Sequence, residues 1–154
     1  MIPQTSPECY LSGMAALNLP SENGTGDWHQ VETFRSRQNQ SRCFIVGKGC
    51  EADTRNYLGS LGIFECSALL DKLQIPYPGG PVYAASHARA IADLIIVSVI
   101  TGGSPEFVTL DDWMPRESDK QEVYDLLAIA LPKLTPVQQQ IIESWQQKQN
   151  HPRL

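Results

Sequence analysis

The chain has 154 residues, of which 42% are hydrophobic, and its formal net charge is -5 at pH 7. This length is typical of a single globular domain, which buries roughly two-thirds of the surface that the unfolded chain exposes. The acidic balance argues against duplex nucleic acid as a direct ligand, because binding phosphates requires a clustered cationic face.

The first quarter of the chain differs in composition from the rest. Residues 1–42 contain few aliphatic side chains and many Ser, Asn, Gln, Gly and Pro residues. This predicts a polar N-terminal extension or hairpin over 1–42, followed by a globular domain over 43–149 and a tail over 150–154. The globular part opens with "CFIVGKG", an apolar run ended by glycines that predicts a buried strand. The segment "DWHQVETF" is expected to pair with that strand.

A helical stretch follows. Apolar residues recur at steps of three and four over 53–75, and Gly59 and Gly62 are expected to split this stretch in two. The segment "PYPGGP", with three prolines and two glycines, ends it with a rigid turn.

The strongest helix signal covers 83–103, with Gly102 as its stop. The part from Ile91 to Ile100 is apolar on nearly every side, which predicts a helix buried in the middle of the domain. It is too short for a membrane span, and Arg89 and Asp93 interrupt it. No contact with a membrane is therefore expected.

Two amphipathic helices are predicted to close the chain, over "SDKQEVYDLLAIAL" and "TPVQQQIIESWQQ". Ser118 with Gln121, and Thr135 with Gln138, occupy capping-box positions at their starts. Their apolar faces predict an antiparallel helical hairpin. The apolar face of the second helix consists of Val137, Ile141 and Trp145. The expected fold is α+β and mainly helical, with a buried central helix, this C-terminal hairpin and a small strand pair near the N-terminal third.

The cysteines favour a reduced compartment. Cys9, Cys43, Cys50 and Cys66 form no C-x-x-C pair, and "MIPQTSPECY" lacks the basic start and apolar centre of a secretory signal. A cytoplasmic location is therefore expected. A zinc site could combine Cys43, Cys50, His29 and His87, but their spacing matches no recognised pattern. No metal and no other cofactor is expected.

One group of residues could serve acid–base chemistry. A hydrolase or transferase could use His29 or His87 as a base oriented by Asp93 or Asp27. No nucleophile elbow, H-E-x-x-H or paired-metal pattern accompanies these residues. The favoured interpretation is structural, with His87 as a hydrogen-bonded, half-buried residue and Asp93 as the partner that lets Arg89 lie beside an apolar helix.

Two segments place a Trp directly after an Asp, in surroundings rich in turn residues. Such aromatics either fill a core or anchor a partner protein. The second of them lies in an acidic run over 106–125, which suits a basic protein partner, although an ordinary solvated helix face is the favoured interpretation of the run. The partner-binding candidates are Asp27, Trp28, His29, Asp111, Asp112 and Trp113.

Three segments and the Gln-rich last helix carry a resemblance: "ALNLPSENGTGDWH", "VYAASHARAIADLI" and "VTLDDWMPRESDKQEVYDLL". The chain resembles small bacterial proteins encoded beside toxin genes in toxin–antitoxin or phage-defence loci. The resemblance implies an antitoxin that binds a cognate toxin protein and blocks its active site. A small cytoplasmic enzyme, and a toxin component or DNA-binding repressor of such a locus, are the alternatives. The lack of a basic helix weighs against the repressor.

Overall fold

The computed structural model describes residues 2–19, 45–50, 52–114 and 116–150. Within these ranges the fold is α+β and mainly helical, which confirms the predicted class. The strands are β1 (Cys9–Leu11), β2 (Ile45–Gly47), β3 (Ile63–Glu65) and β4 (Tyr83–Ala85). The α-helices are α1 (Gly13–Leu17), α2 (Arg55–Leu58), α3 (Ser67–Leu73), α4 (His87–Ile100), α5 (Leu110–Trp113), α6 (Glu117–Ala130) and α7 (Pro136–Asn150). Short 3-10 turns at Pro105–Phe107 and Leu131–Lys133 precede α5 and α7.

The four strands form one mixed sheet in the order β2-β1-β4-β3. The two central strands, β1 and β4, are parallel, with Leu11 opposite Ala84. The outer strands are antiparallel to their neighbours, so that Val46 of β2 is opposite Tyr10 and Phe64 of β3 is opposite Ala84. The sheet therefore joins the N-terminal residues to the start of the central helix.

Side chains of the sheet alternate between two apolar clusters, one on each face. Tyr10 and Ala85 belong to the larger cluster, which also contains the buried residues of α4, α6 and α7. Leu11 and Ala84 belong to the smaller cluster, where Leu70 of α3 is fully buried. The sheet thus separates the main helical layer from a smaller layer built around α3.

The N-terminal residues are part of the core, which corrects one prediction. Ile2, Tyr10, Leu17 and Leu19 each expose 2% or less of their surface. A polar extension over 1–42 is therefore wrong for residues 2–19, because the short apolar runs "CYL" and "MAALNL" are hidden in a polar average composition. The segment "DWHQVETF", predicted to pair with β2, lies outside the described residues, and the strand that pairs with β2 is β1.

The stretch over 53–75 is divided, as the two glycines predicted, into α2 and α3. Between them lies β3, a strand that the helical periodicity concealed. Leu61 and Phe64, two of the apolar residues that recur at helical steps over 53–75, are 46% and 43% exposed. Neither residue lies in a helix: Phe64 is in the edge strand β3, and Leu61 is in the turn that leads into it.

The central helix α4 is confirmed, with a later start than predicted because 83–85 forms β4. Ser86 caps it, since its Oγ accepts a hydrogen bond from the Arg89 N–H over 3.2 Å. Gly102, at a φ of +89°, ends it, and the next N–H donates to Ser98 O over 2.7 Å, as in a Schellman motif. Ile91 is fully buried. No helix in the described part of the chain combines the length and the apolar character that crossing a bilayer requires.

Of the two capping boxes predicted for the C-terminal helices, one is confirmed and one is wrong. At α7, the Thr135 N–H donates to Gln138 Oε1 over 3.0 Å and the Gln138 N–H donates to Thr135 Oγ1 over 3.2 Å, a complete capping box. The capping box at Ser118 is wrong. Ser118 lies inside α6, whose N-cap position is Arg116, and Gln121 donates to Asp125 over 2.9 Å.

Both C-terminal helices pack against α4, and α6 meets α7 where the rings of Tyr124 and Trp145 pack edge to face at 6.5 Å. Ile142 and Trp145 carry the buried face of α7. Val137, which was predicted to lie on this face, is 69% exposed. Trp145 is anchored further by the hydrogen bond from its Nε1 to Val108 O, 2.9 Å long. Helix α7 ends at Asn150, the first residue of the predicted tail; 151–154 lie outside the described residues.

Candidate functional site

Asp93, a candidate catalytic residue, forms an ion pair inside the core. Its Oδ1 lies 2.9 Å from Arg89 Nε, and the two side chains are 1% and 0% exposed. The residues are four apart on α4, where a helix brings successive turns onto one face. Asp93 is thus the partner that lets Arg89 lie beside an apolar helix.

Three hydroxyl groups complete the environment of the Asp93 carboxylate. Its Oδ2 accepts hydrogen bonds from the Tyr10 hydroxyl over 2.8 Å and from Ser12 Oγ over 2.7 Å. Its Oδ1 accepts from Thr54 Oγ1 over 2.5 Å, in addition to the bond from Arg89. The carboxylate therefore has four donors, the number that two carboxylate oxygens accommodate.

Each guanidinium nitrogen of Arg89 also has an acceptor. Its Nη1 donates to Leu61 O over 2.5 Å, and its Nη2 donates to Tyr10 Oη over 2.9 Å and to Gly59 O over 3.0 Å. The guanidinium also lies 5.5 Å from the centre of the Tyr10 ring. These bonds join β1, the turn after α2 and the central helix. We call Tyr10, Ser12, Thr54, Arg89 and Asp93 the buried network.

The electrostatics of the buried network keep the tyrosine neutral. Burial, with a further contribution from the Asp93 charge, raises the pKa of Tyr10 well above its ordinary value. The hydroxyl therefore remains a donor to Asp93 and an acceptor from Arg89. A carboxylate that is sealed from solvent, paired and fully hydrogen-bonded has neither access to a substrate nor an unused lone pair, so it is not arranged as a general base.

His87, the second described member of the predicted catalytic set, is the first residue of α4 and is 7% exposed. Its Nε2 lies 2.6 Å from Leu19 O. It precedes Asp93 by six residues, which is a rotation of about 240° around a helix, so the two side chains leave α4 on different sides. No hydrogen bond joins His87 to Asp93, and the third member, His29, lies outside the described residues together with Asp27.

Two of the four residues considered for a zinc site are described. Cys50 lies beside Cys9, and His87 lies at the start of α4. Cys43 and His29 lie outside the described residues. Among residues 2–19, 45–50, 52–114 and 116–150, no group of three or more His, Cys, Asp or Glu side chains is arranged to bind a metal ion.

The partner-binding candidates that the structure describes lie on α5. Asp111 and Asp112 are exposed, and Trp113 is half-buried against the main apolar cluster. Asp111 forms an ion pair with Lys120, whose Nζ also lies 3.0 Å from Glu117 Oε1. These hydrogen bonds raise the pKa of Lys120, so the ammonium stays charged.

An exposed aromatic side chain, which the sequence did not single out, lies beside these acids. Phe107 is 53% exposed, and its ring lies 6.3 Å from that of Trp113, tilted by 56°. Helix α5 is held against the core, because Leu110 is buried and its N–H donates to Gln149 Oε1 over 2.9 Å. We call Phe107, Asp111, Asp112 and Trp113 the α5 surface.

The structure thus assigns the two groups of candidates differently. Asp93 belongs to the buried network, whose other members Tyr10, Ser12 and Thr54 were missed because they are distant in sequence and have no motif. Asp111, Asp112 and Trp113 belong to an accessible, aromatic and acidic surface. Trp28 lies outside the described residues. Comparisons of the chain with protein-family models, with curated proteins and with solved structures found no match.

Proposed function

We propose that the chain is an antitoxin-like inhibitor that binds and neutralises a cognate toxin protein by protein–protein contact. The observation that carries this proposal is the α5 surface, where the exposed Phe107 packs against Trp113 beside the carboxylates of Asp111 and Asp112. The segment Asp27–His29 is proposed as a second contact. A cytoplasmic location belongs to the same proposal.

The α5 surface has the chemistry of a protein-binding site. Aromatic side chains dominate interface energies because they bury a large area at a small loss of conformational entropy. Phe107 supplies exposed aromatic area, and Trp113 supports its ring from the side of the core. Burial of Leu110 and its hydrogen bond to Gln149 fix the backbone of α5. The entropic cost of ordering this segment when a partner binds is therefore small.

The charges of the α5 surface point to a basic partner. Asp112 is exposed, and the neighbouring helix adds the exposed acids Glu117, Glu122 and Asp125. A group of exposed carboxylates raises the association rate with a cationic protein and disfavours the binding of acidic proteins. Toxins that act on RNA or nucleotides have cationic active sites, which an acidic and aromatic segment can fill. This agrees with the inhibitor role that the resemblance implies.

An enzymatic role has less support. Asp93 accepts hydrogen bonds from four groups inside the core, and His87 leaves α4 on another side. An enzyme would require at least one of them to reach a substrate. The structural interpretation, in which Asp93 pairs with Arg89 and His87 is a buried, hydrogen-bonded residue, explains both residues without a catalytic role.

The test begins by identifying the partner. The tagged chain is purified from its native host, and the co-purifying protein is identified and tested for growth inhibition when expressed alone. Its affinity for the chain is then measured by calorimetry. We expect Phe107→Ala to weaken binding about tenfold or more, as truncation of an interface anchor does. Asp112→Asn should lower the association rate and its dependence on salt.

Matched controls separate binding from folding. Ile129→Ala removes an exposed apolar side chain of α6, and Glu143→Gln removes an exposed charge of α7; both should leave affinity unchanged. Trp28→Ala and Asp27→Ala test the second contact and should release the toxin while the fold remains intact. Full affinity and full growth protection in both Phe107→Ala and Asp112→Asn would exclude the α5 surface as the binding site.

A further inference from the structure

Two cysteine thiols meet at one side of the sheet. Cys9 begins β1, Cys50 lies in the turn after β2, and their Sγ atoms are 2.9 Å apart. Both thiols are free and both side chains are partly exposed. An S–S bond is about 2.05 Å long, so the sulfurs need to approach by less than about 1 Å to become bonded.

The backbone around the two cysteines determines this approach. Cys9 is opposite Gly47 in the ladder between β1 and β2, and the Cys50 N–H donates to Gly47 O over 3.0 Å. Gly47 has a φ of +132°, and a Cβ atom at this position would lie 1.9 Å from Glu8 O. Only glycine at this position allows the backbones of β1 and β2 to lie so close together. The two thiols are therefore held close together by the backbone, through the pairing of β1 with β2 and the turn after β2, and not by side-chain rotation alone.

We propose that Cys9 and Cys50 are a reversible dithiol–disulfide pair, a redox modification site that exchanges with low-molecular-weight disulfides such as oxidised glutathione. The other described cysteine differs from them. Cys66 is 2% exposed, and no hydrogen bond joins its thiol to another described sulfur. Burial raises the pKa of the Cys66 thiol to about 12, which makes it unreactive.

The exchange proceeds in two steps. The Cys9 thiolate attacks one sulfur of the small disulfide, forms a mixed disulfide and releases one small thiol. Cys50 then loses its proton to the departing group, attacks the Cys9 sulfur and releases the second small thiol. Two protein thiols are oxidised to one disulfide, one small disulfide is reduced to two thiols, and two protons pass from the cysteines to the released thiols.

Cys50 is partly exposed and lies within hydrogen-bond distance of Cys9. Burial, together with the hydrogen bond to Cys9, raises the pKa of Cys50 to about 12, so its thiolate is scarce at neutral pH. In the scheme above, Cys50 is the resolving thiol, and its proton leaves with the departing small thiol. The product would connect β1 covalently to the chain that leaves the edge strand β2, and would enclose residues 10–49 in a ring.

The test uses the full chain. The reduced protein is incubated with excess oxidised glutathione and denatured, and its free thiols are then alkylated and counted by mass spectrometry. The number of labelled cysteines should fall from the four that the chain contains to two, with Cys9 and Cys50 in one linked peptide. Subsequent reduction with dithiothreitol should restore four labels.

Two variants sharpen the test. Cys50→Ser removes the resolving thiol, so Cys9 should accumulate as its mixed disulfide with glutathione. Cys43→Ser leaves the pair intact and should still form the internal disulfide. Four labelled cysteines after oxidation, a disulfide between any other two cysteines, or a stable glutathione adduct on wild-type Cys9 would each overturn the proposal.

Discussion

At the scale of single residues, the buried network explains how a charged pair is tolerated in an apolar core. Removing Arg89 and Asp93 from water costs several kcal/mol per ion, and their mutual attraction offsets this only when the remaining hydrogen-bonding groups are satisfied. Here Tyr10, Ser12 and Thr54 provide those bonds. The network ties two distant parts of the chain, residues 10–12 and Thr54, to α4, so each member contributes to specifying the fold.

Substitution of Asp93 tests that role. Asp93→Ala should lower the free energy of unfolding by about 3–5 kcal/mol, because it leaves the guanidinium buried without its counter-charge. The measurement is urea denaturation followed by circular dichroism. Glu122→Ala, which removes an exposed acid from α6, should change stability by no more than about 0.5 kcal/mol. A loss below about 1 kcal/mol in Asp93→Ala would show that the network is not important for stability.

Tyr10 gives the network a dependence on alkaline pH. The fold raises the pKa of Tyr10, so the stability that the neutral hydroxyl contributes is fully present below the unfolded pKa of about 10 and is lost as pH rises above it. Tyr10→Phe should be less stable than wild type by about 1–3 kcal/mol at pH 8. This difference should shrink between pH 10 and 11, by up to about 1.4 kcal/mol per pH unit. Urea unfolding at each pH measures it, and a difference that does not depend on pH would contradict the argument.

At the scale of elements, the serines that follow the two central parallel strands have different roles. Each is followed by a serine and then a helix, Ser12 before α1 and Ser86 before α4. Ser86 caps its helix through the Arg89 N–H, whereas Ser12 forms no side-chain cap and donates instead to Asp93. The same residue at the same local position therefore stabilises a helix end in one case and a buried carboxylate in the other.

The helix starts provide a matched pair of substitutions. Thr135→Ala removes the capping hydroxyl of α7 and should lower the free energy of unfolding by about 1 kcal/mol. Ser118→Ala removes an exposed hydroxyl inside α6, where it caps nothing, and should have an effect within about 0.5 kcal/mol. Thermal and urea denaturation of both variants provide the comparison. Equal losses in the two variants would mean that the assignment of the two N-termini is wrong.

At the scale of the whole molecule, the sheet ties the N-terminal residues to the central helix and to both apolar clusters. Strand β1 is central and pairs with both β2 and β4, and α1 packs on α4. Tyr10 contributes to the larger apolar cluster and Leu11 to the smaller one. The N-terminal residues are thus required by both layers.

A shortened chain tests this requirement. Residues 43–149, the globular domain that composition predicted, lack β1, α1 and two members of the buried network, so this fragment should show no cooperative unfolding transition and poor dispersion of its amide NMR signals. A chain that lacks only 151–154 keeps the whole of α7 and should unfold cooperatively. A native-like spectrum from 43–149 would restore the view of the N-terminal part as an extension.

The sequence by itself determined the features that depend on neighbouring residues. The buried central helix, its stop at Gly102 and the capping box at Thr135 follow from periodicity and from side chains three or four residues apart. The same local argument placed Arg89 and Asp93 on one face of α4. It also placed Asp111, Asp112 and Trp113 in one acidic segment.

Only the tertiary structure decided the rest, because the interactions involved join residues that are far apart in the chain. Strands β1 and β3 have three residues each, too few for a period to be recognised, and their pairing with β4 defines them. Tyr10 meets Asp93 across 83 residues, and Cys9 meets Cys50 across 41. Exposure is decided in the same way: Phe107 is accessible and Leu19 is buried because of what packs beside them, which no local pattern encodes.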